Sequence, residues 1–531
     1  MVWSVRESRV ITSGMDSLRD IHAIRRFPGE PTSPSRARRR VRNVRGSRAT
    51  LVVALCLGFA PVSAFGQTAN TGAGGDPRTS VAQPEVSGKP SAVATTSIQA
   101  TLGDAADPTG LRHFLSDRGV VLSFTAIADI LGDTSGGTRR TATVLGRLDM
   151  QLDADLDRLA GWHGAAFRVE AYQINGAGLT RAAVNDLAVV SELEALPSTR
   201  LYELWVEQQL LDGQLAIKLG QVAADTEFLV SQTATLFINS TFGWPTITGT
   251  NLPSGGPAYP FGAPAVRAKY LPSPNLSFQV GLFDGDPAGP ARAWNDPDPQ
   301  RRNRTGTNFR LSDPAFLIAE VAYAYNVEER ARTGQVLDEP GTVTFGGWHH
   351  FGRFDSLRFD DTGRSLADPS TTGTPRRFRG NDGLYAMIDQ TVYREPGKDD
   401  EGASAFVRAM ASPGDRNLVD LYLDAGIGYR GLLPGRSNDT AGIAVSYARI
   451  SPSARGFDRD TILETGVAMP RRRFEALVEA TYQAVLGPGI TVQPNLQYIF
   501  HPGGNVPDPR DELGRRIRNA TVVGMRATLT Y

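Results

Sequence analysis

Alternation at a period of two runs through most of this chain and sorts its residues into an apolar parity and a polar one. Counting back by two from Tyr531 meets Leu529, Ala527, Met525 and Val523. The other parity holds Thr530, Thr528, Arg526, Gly524 and Val522. Such a period means a β-strand with different surroundings on its two faces. In 147–156, Leu148, Met150, Leu152, Ala154 and Leu156 oppose Arg147, Asp149, Gln151, Asp153 and Asp155. In 419–430, Val419, Leu421, Leu423, Ala425, Ile427 and Tyr429 oppose Asp420, Tyr422, Asp424, Gly426, Gly428 and Arg430. In 490–500, Ile490, Val492, Pro494, Leu496, Tyr498 and Phe500 oppose Thr491, Gln493, Asn495, Gln497 and Ile499. A water-soluble sandwich would bury the face that here is polar. Lipid outside and water inside fit the pattern, which is that of a transmembrane β-barrel. An Arg or Lys facing lipid at the midplane costs roughly 2–4 kcal/mol, so the charged parity faces the lumen.

The fold expected is all-β: a transmembrane antiparallel barrel of about sixteen strands, an even number as in single-chain bacterial barrels, preceded by a short helix within 109–119 and carrying long extracellular loops. The segments are 120–130, 145–155, 165–175, 200–211, 214–221, 264–271, 275–283, 315–325, 341–351, 383–394, 402–412, 418–430, 440–450, 472–484, 489–500 and 520–531. Connection lengths alternate. Asp212-Gly213, Pro272-Ser273-Pro274 and the LGPG near 485–488 make short inner turns, while 176–199, 222–263, 284–314, 352–382, 451–471 and 501–519 make long outer loops. Two connections break the rule: 413–417 is short for an outer loop and 326–340 is long for an inner one. No repeat of propeller length is present. An even count returns Tyr531 to the periplasmic side, where a C-terminal aromatic can serve the barrel-assembly machinery.

No run of 18 apolar residues occurs, so no membrane-spanning helix is expected. Residues 1–66 hold twelve arginines and four acidic residues out of totals of 56 and 56, which leaves the rest acidic by eight charges. A nucleic-acid partner is therefore not expected. Residues 1–66 read as a leader with a secretory signal: a basic region from Arg36 to Arg48, an apolar core at 51–60, and small residues near 62–66 for cleavage, with Met15 an alternative start. The one cysteine, Cys56, lies in that core, so the mature barrel has no disulfide or thiolate metal site. Residues 67–108 are rich in Gly, Ala, Ser, Thr and Pro and read as a disordered periplasmic lead-in, and 109–531 as the barrel.

Several long blocks resemble one family. GRLDMQLDADLDRLAGWHGAAFRVEAYQINGAGLT (146–180), TRLYELWVEQQLLDGQLAIKLGQVAADTEFLVS (199–231), FINSTFGWP (237–245), LPSGGPAYP (252–260), DPQRRNRTGTNFRL (298–311) and LQYIFHPGGNVPDP (496–509) are similar to the carbohydrate-selective porins of OprB type from Gram-negative bacteria. The resemblance spans about 109–531. It implies a sixteen-stranded barrel in the cell outer membrane that passes small neutral sugars by passive or facilitated diffusion, with no cofactor and no resident metal. Barrels of this size are often homotrimers.

The eyelet of such a pore is placed here by parity and loop position. The longest outer connection, 222–263, carries Asp225, Glu227 and Trp244 with four prolines, and a fifth, Pro264, follows directly; a loop of that length inside one domain has a use. Folded inward, it narrows the lumen and offers aromatic faces and carboxylates to a pyranose. The competing reading is an outer lid whose aromatics pack on the wall. Lumen parity adds Arg147, Arg168, Glu170, Glu203, Trp205, Glu207, Lys218, Arg267 and Lys269. Mixed signs suit an uncharged polyol. The runner-up is a general or anion-preferring porin with Arg147, Arg168, Arg267 and Lys269 as an anion ladder. A third reading, a carbohydrate-active enzyme, would need carboxylates such as Glu203 and Asp225 to be catalytic. His349 and His350 are adjacent, so on a strand they point apart and cannot chelate together.

Overall fold

A computed structural model describes residues 97–531 except 103, 104, 106, 293, 327–338 and 399. The leader and nearly all of the lead-in lie outside the described residues. Sixteen antiparallel strands close into one barrel. They are β1 Val120–Gly137, β2 Thr141–Asp155, β3 Ala165–Gly176, β4 Ser198–Leu210, β5 Leu215–Val222, β6 Ala263–Ser273, β7 Leu276–Asp284, β8 Ala315–Tyr325, β9 Gly341–Asp360, β10 Pro375–Arg394, β11 Gly402–Ala411, β12 Val419–Arg430, β13 Thr440–Ile450, β14 Phe474–Gly487, β15 Ile490–Phe500 and β16 Arg518–Thr530. Each pairs with its sequence neighbours, and β1 pairs with β16 to close the ring. Closure leaves no unpaired strand edge, as a hydrocarbon surround demands.

Burial is inverted relative to a soluble protein. Leu384 is 73% exposed, and Leu219, Val266, Leu282, Val407, Ile443 and Val523 are exposed with it. Arg267 is 0% exposed, and Arg408, Asp424, Glu479 and Gln497 are buried on the opposite parity. Among the described residues no helix is long and apolar enough to cross a membrane.

The two ends differ. At one, β4 and β5 join through a tight turn in which Leu211 (φ 54°), Asp212 (φ 52°) and Gly213 (φ 85°) are all left-handed. Positive φ is what a two-residue hairpin requires, and glycine supplies it without strain. Both termini of the barrel sit at this end. Tyr531 exchanges backbone hydrogen bonds with Phe124 at 2.8 and 2.9 Å, and the Arg112 guanidinium lies 4.9 Å over its ring. Arg112 belongs to a short helix, α1 Leu111–Ser116.

At the other end the expected long loop 352–382 is corrected. β9 and β10 run for 20 residues each, and only 361–374 turn between them. About ten residues suffice to span the bilayer, so half of this hairpin stands beyond it. There both faces meet water or protein, and the apolar–polar parity fades. The hairpin leans on a helix, α3 Pro452–Thr465, through Arg358 Nε to Asp460 at 2.7 Å. Ser451 caps α3 by accepting from the Ala454 amide, and Gly466 at φ 68° ends it. The first outer connection is likewise short, since β1 and β2 leave only 138–140 between them.

The apolar core lies between the wall and two inturned loops. One cluster packs Phe228, Leu229, Trp244, Ile247 and Leu252 against Phe283, Phe316, Trp348, Tyr385 and Tyr422. A second packs Leu179, Val184, Val190, Phe237 and Phe242 against Phe406, Leu477, Ile499 and Val522. Each such side chain contributes about 1.5–3 kcal/mol when fully buried.

Candidate functional site: a lumen narrowed by two inturned loops

The loop between β5 and β6, residues 223–262, leaves the wall over a buried footing. Glu203 accepts from the Ala223 amide at 3.1 Å and from Thr226 Oγ1 at 3.0 Å. Glu227 pairs with Lys218 Nζ and with Arg267 Nε at 2.9 Å, and Arg267 also pairs with Glu207 at 2.7 Å. Trp205 floors this cluster, 3.9 Å from Lys218 Nζ and 5.2 Å from the Arg168 guanidinium. Burial alone would raise the Glu227 carboxyl, but Lys218 and Arg267 hold it below its ordinary value. Opposite charges at contact distance favour the ionised form.

From that footing the loop crosses to the far wall. The Leu229 amide donates to Glu320 of β8 at 2.6 Å, and Thr233 Oγ1 donates to Asp389 of β10 at 2.6 Å. Arg408 of β11 donates to the carbonyls of Leu229, Thr241 and Phe242. Glu479 of β14 accepts from the amides of Ile238 and Asn239 at 2.7 and 3.0 Å, and Gln493 of β15 donates to Leu236 O at 2.6 Å. A short helix, α2 Thr246–Asn251, is held to β12 by Asn251 Nδ2 to Val419 O at 2.7 Å. An inturned backbone has many donors and acceptors, and each left unpaired in a buried site costs about 1–3 kcal/mol. The polar parity of the far wall pairs them.

A second loop, 177–197 between β3 and β4, turns in beside the first. Glu475 accepts from the amides of Leu187 and Ala188, and Gln497 donates to Val190 O at 2.9 Å. Ser191 donates to Asp129 at 2.6 Å. Arg526 spans Asp129 at 2.8 Å and Glu192 at 2.6 Å. The loops also join each other, by Glu192 N to Ile238 O at 2.9 Å and Ser240 N to Val189 O at 3.0 Å.

Between these loops and the wall of β1–β3, β15 and β16 remains a cavity of about 670 Å³. Arg147, Asp149, Tyr172, Gln493 and Arg526 line it from the wall; Glu192, Asp225, Phe242, Trp244 and Tyr259 line it from the loops. Tyr172 and Tyr202 stack at 4.6 Å, with Tyr259 5.8 Å from Tyr172. The Arg147 guanidinium lies 4.5 Å over Tyr172 and 5.1 Å over Tyr259, and it donates to both oxygens of Asp149 at 2.6 and 2.9 Å. Asp225 accepts from Tyr202 Oη at 2.7 Å and from the Tyr259 amide at 3.0 Å. Burial pushes the Tyr259 phenol up to about 12, so it stays neutral and donates to Leu193 O at 2.9 Å.

Of the sequence-predicted residues, Arg147, Asp225 and Trp244 line this cavity. Glu203, Trp205, Glu207, Lys218, Glu227 and Arg267 form the footing under the loop instead. Arg168 and Glu170 are buried on the inner face of β3, where Arg168 binds Asp153 at 2.6 Å. Lys269 lies on β6 opposite Ala216, toward the short-turn end. Sequence reasoning missed the second inturned loop, the tyrosine cluster and the Asp129–Arg526 pair. The last had a signal. β1 and β16 face each other once the barrel closes, and Asp129 and Arg526 are direct partners in that register.

The second loop carries a pH dependence. Glu194 accepts from the Thr180 amide at 3.0 Å, beside Arg181, Asp186 and Glu475. Burial pushes Glu194 up to about 7, and burial with Glu475 and Glu194 raises Asp186 as well. A carboxyl whose value is raised in the seated loop favours seating below its free value of 4.5 and loses that contribution as pH climbs through about 7. The loop is thus expected to resist protease cleavage between Thr180 and Leu196 better at about pH 5 than at about pH 8, once cleavage rates are corrected on an unfolded standard. Glu194→Gln should reduce that difference, the remainder belonging to Asp186; equal resistance at both values in the unsubstituted chain would contradict the dependence.

Comparison with known proteins adds to this geometry. Residues 139–531 match the family model described as carbohydrate-selective porin, OprB family. Porin B of Pseudomonas aeruginosa is 24% identical over 438 residues, covering 80% of this chain and 90% of that protein. A putative porin, QuiX, of Acinetobacter baylyi is 20% identical over 416 residues, covering 74% and 87%. Among solved structures, OprB of Pseudomonas putida at high pH superposes with a TM-score of 0.68 at 22% identity, over 81% of this chain and 97% of that one, a likeness of fold.

Proposed function

The chain belongs to the OprB family of carbohydrate-selective porins, and from that membership we propose that it carries glucose-like monosaccharides and short oligosaccharides down their gradient into the periplasm. Family and fold are those of a sugar-selective outer-membrane channel rather than an enzyme. The observation that carries the proposal is charge pairing around the cavity. Arg147 faces Asp149, and Arg526 faces Asp129 and Glu192. Paired charges offer directional hydrogen bonds with little net field, two guanidinium groups against three carboxylates, which suits a neutral polyol better than an anion. The same pairing weighs against an anion ladder, since Arg168 and Arg267 also have carboxylate partners. Glu203 and Asp225 are engaged in holding backbone and tyrosine, which weighs against a hydrolytic role.

A pyranose has an apolar face and a rim of hydroxyls. Trp244 supplies a ring, and Arg147, Asp149 and Asp225 supply donors and acceptors around one cavity. Weak contact with several groups admits a solute and releases it. Assembly is proposed to use Tyr531 as the signal to the barrel-assembly machinery, with a homotrimer as the product in the outer membrane.

In planar bilayers, millimolar glucose or maltose is expected to reduce the single-channel current saturably. Trp244→Ala should weaken that block roughly 3- to 10-fold, the size of one aromatic contact. Current indifferent to sugar in the unsubstituted channel would refute selectivity at this cavity.

A further inference from the structure

A second cavity, of about 240 Å³, lies at the long-loop end of β14–β16, lined by Met469, Arg471, Arg473, His501, Asn505 and Arg516. The sugar route does not use it. Its neighbours put it on the outer side of the barrel. The His501 ring packs edge-on against Phe474 at 4.6 Å, and Phe474 packs on Tyr447 at 5.3 Å. The His501 amide donates to Asn519 Oδ1 at 3.1 Å, and the Asn519 amide reaches Tyr498 Oη at 3.4 Å. Phe474, Tyr498 and Asn519 alternate along their strands with the inward, buried Glu475, Gln497 and Ala520, so all three face out. Exposed Tyr498 and Phe500 fit the aromatic band at the upper interface of a membrane barrel. The cavity opens just above that band, at the level of lipid headgroups.

Its charge is one-sided. Among the described residues Arg471, Arg473 and Arg516 have no carboxylate partner; Arg516 reaches only Asn505 Oδ1 at 3.4 Å. The intervening Arg472 points elsewhere and pairs with Asp458 at 2.7 Å. His501 Nδ1 is buried with no hydrogen-bond partner. Burial, then Arg516 and Arg473, hold His501 below its ordinary value, so at neutral pH it adds a polar atom and no charge. Three guanidinium groups gathered without a counter-ion repel one another, and a bound anion relieves that repulsion. Their forked donors match the oxygens of a phosphate.

We propose that this cavity binds the phosphate of an outer-leaflet glycolipid. Basic pockets at a membrane face are recognised sites for anionic headgroups. A lipid is favoured over free phosphate because the aromatic surface of Tyr447, Phe474 and Phe500 runs down from the cavity, where acyl chains would lie. The proposal rests on the outer-membrane placement and not on the identity of the sugar.

The test titrates the full chain in detergent with lipid A bearing its phosphates, with the same lipid dephosphorylated, and with inorganic phosphate, reading bound lipid by native mass spectrometry. Dephosphorylated lipid is expected to bind at least about tenfold more weakly, as for loss of a charge-assisted hydrogen bond. The Arg471→Ala/Arg516→Ala variant is expected to lose about tenfold toward the phosphorylated lipid and little toward the other. Both side chains are exposed and lack ion pairs, so the barrel should fold and its sugar block stay unchanged. That readout separates failure of this site from failure of the channel. The unsubstituted chain's preference between the two lipids decides the matter even if the variant does not fold. Equal binding of both lipids, unaltered binding by a folded variant, or displacement by millimolar inorganic phosphate would each overturn the proposal.

Discussion

Removing residues 230–254 and bridging the gap with a short glycine link is expected to raise single-channel conductance several-fold and to abolish the saturable block by sugar. The ends can be rejoined because Ala224 N and Pro257 O are hydrogen-bonded at 2.6 Å. The cut spares Glu227 and so keeps its pairing with Lys218 and Arg267. The wall does not need the loop for its own backbone, since every strand pairs with two neighbours. Glu479, Gln493 and Arg408 would lose loop partners but gain water, which an open lumen supplies. Conductance should therefore rise while the barrel keeps its heat resistance in detergent. Unchanged conductance in the shortened chain would mean that the loop does not restrict the path.

Arg408→Ala is expected to reach a similar open state by a single substitution, and to cost about 3–5 kcal/mol of loop seating, as when one partner of a buried ion pair is removed. Arg408 and Asp424 are both 0% exposed as side chains. The guanidinium binds Asp424 and three loop carbonyls, those of Leu229, Thr241 and Phe242. Alanine strands the carboxylate and those carbonyls, leaving Asp424 only the Tyr422 hydroxyl at 2.9 Å. The expected record is a larger and noisier current and faster proteolysis within 229–251. Adding Asp424→Asn should restore part of the loss, because the unpaired charge is then gone, and a double-mutant cycle measures the coupling. If Arg408→Ala conducts like the unsubstituted channel, the loop is held elsewhere.

The strands were legible because hydrocarbon and water impose opposite demands on alternate residues. Each of the sixteen expected segments overlaps an observed strand. Legibility stops where that contrast stops. Above the bilayer, Arg353, Asp355 and Arg358 of β9 carry no parity signal, and the hairpin reads as loop although it is strand. The site was harder to read for a different reason. Parity assigns Lys218 and Arg267 to the lumen but cannot reveal that Glu227 folds back between them and removes them from the water path. Asp129 and Arg526 stand at opposite ends of the barrel sequence and meet only through closure. Glu475 and Glu479 are indistinguishable in sequence from wet lumen carboxylates, yet each holds loop amides. Loop length singled out residues 223–262 as the longest connection; 176–199 also reads as a long outer loop, but its length does not set it apart from 284–314 or 352–382 and says nothing of its turning inward.

If alternate residues face lipid and the lumen carries neutral sugars past paired charges, liposomes reconstituted with the full chain will swell according to the size and charge of the solute. The decisive series uses sugars of graded length, with gluconate as a size-matched anion. Swelling is expected to be fast in glucose, slower as oligosaccharide length grows, and slower in gluconate than in glucose. No swelling in any sugar, or gluconate entering faster than glucose, would contradict it.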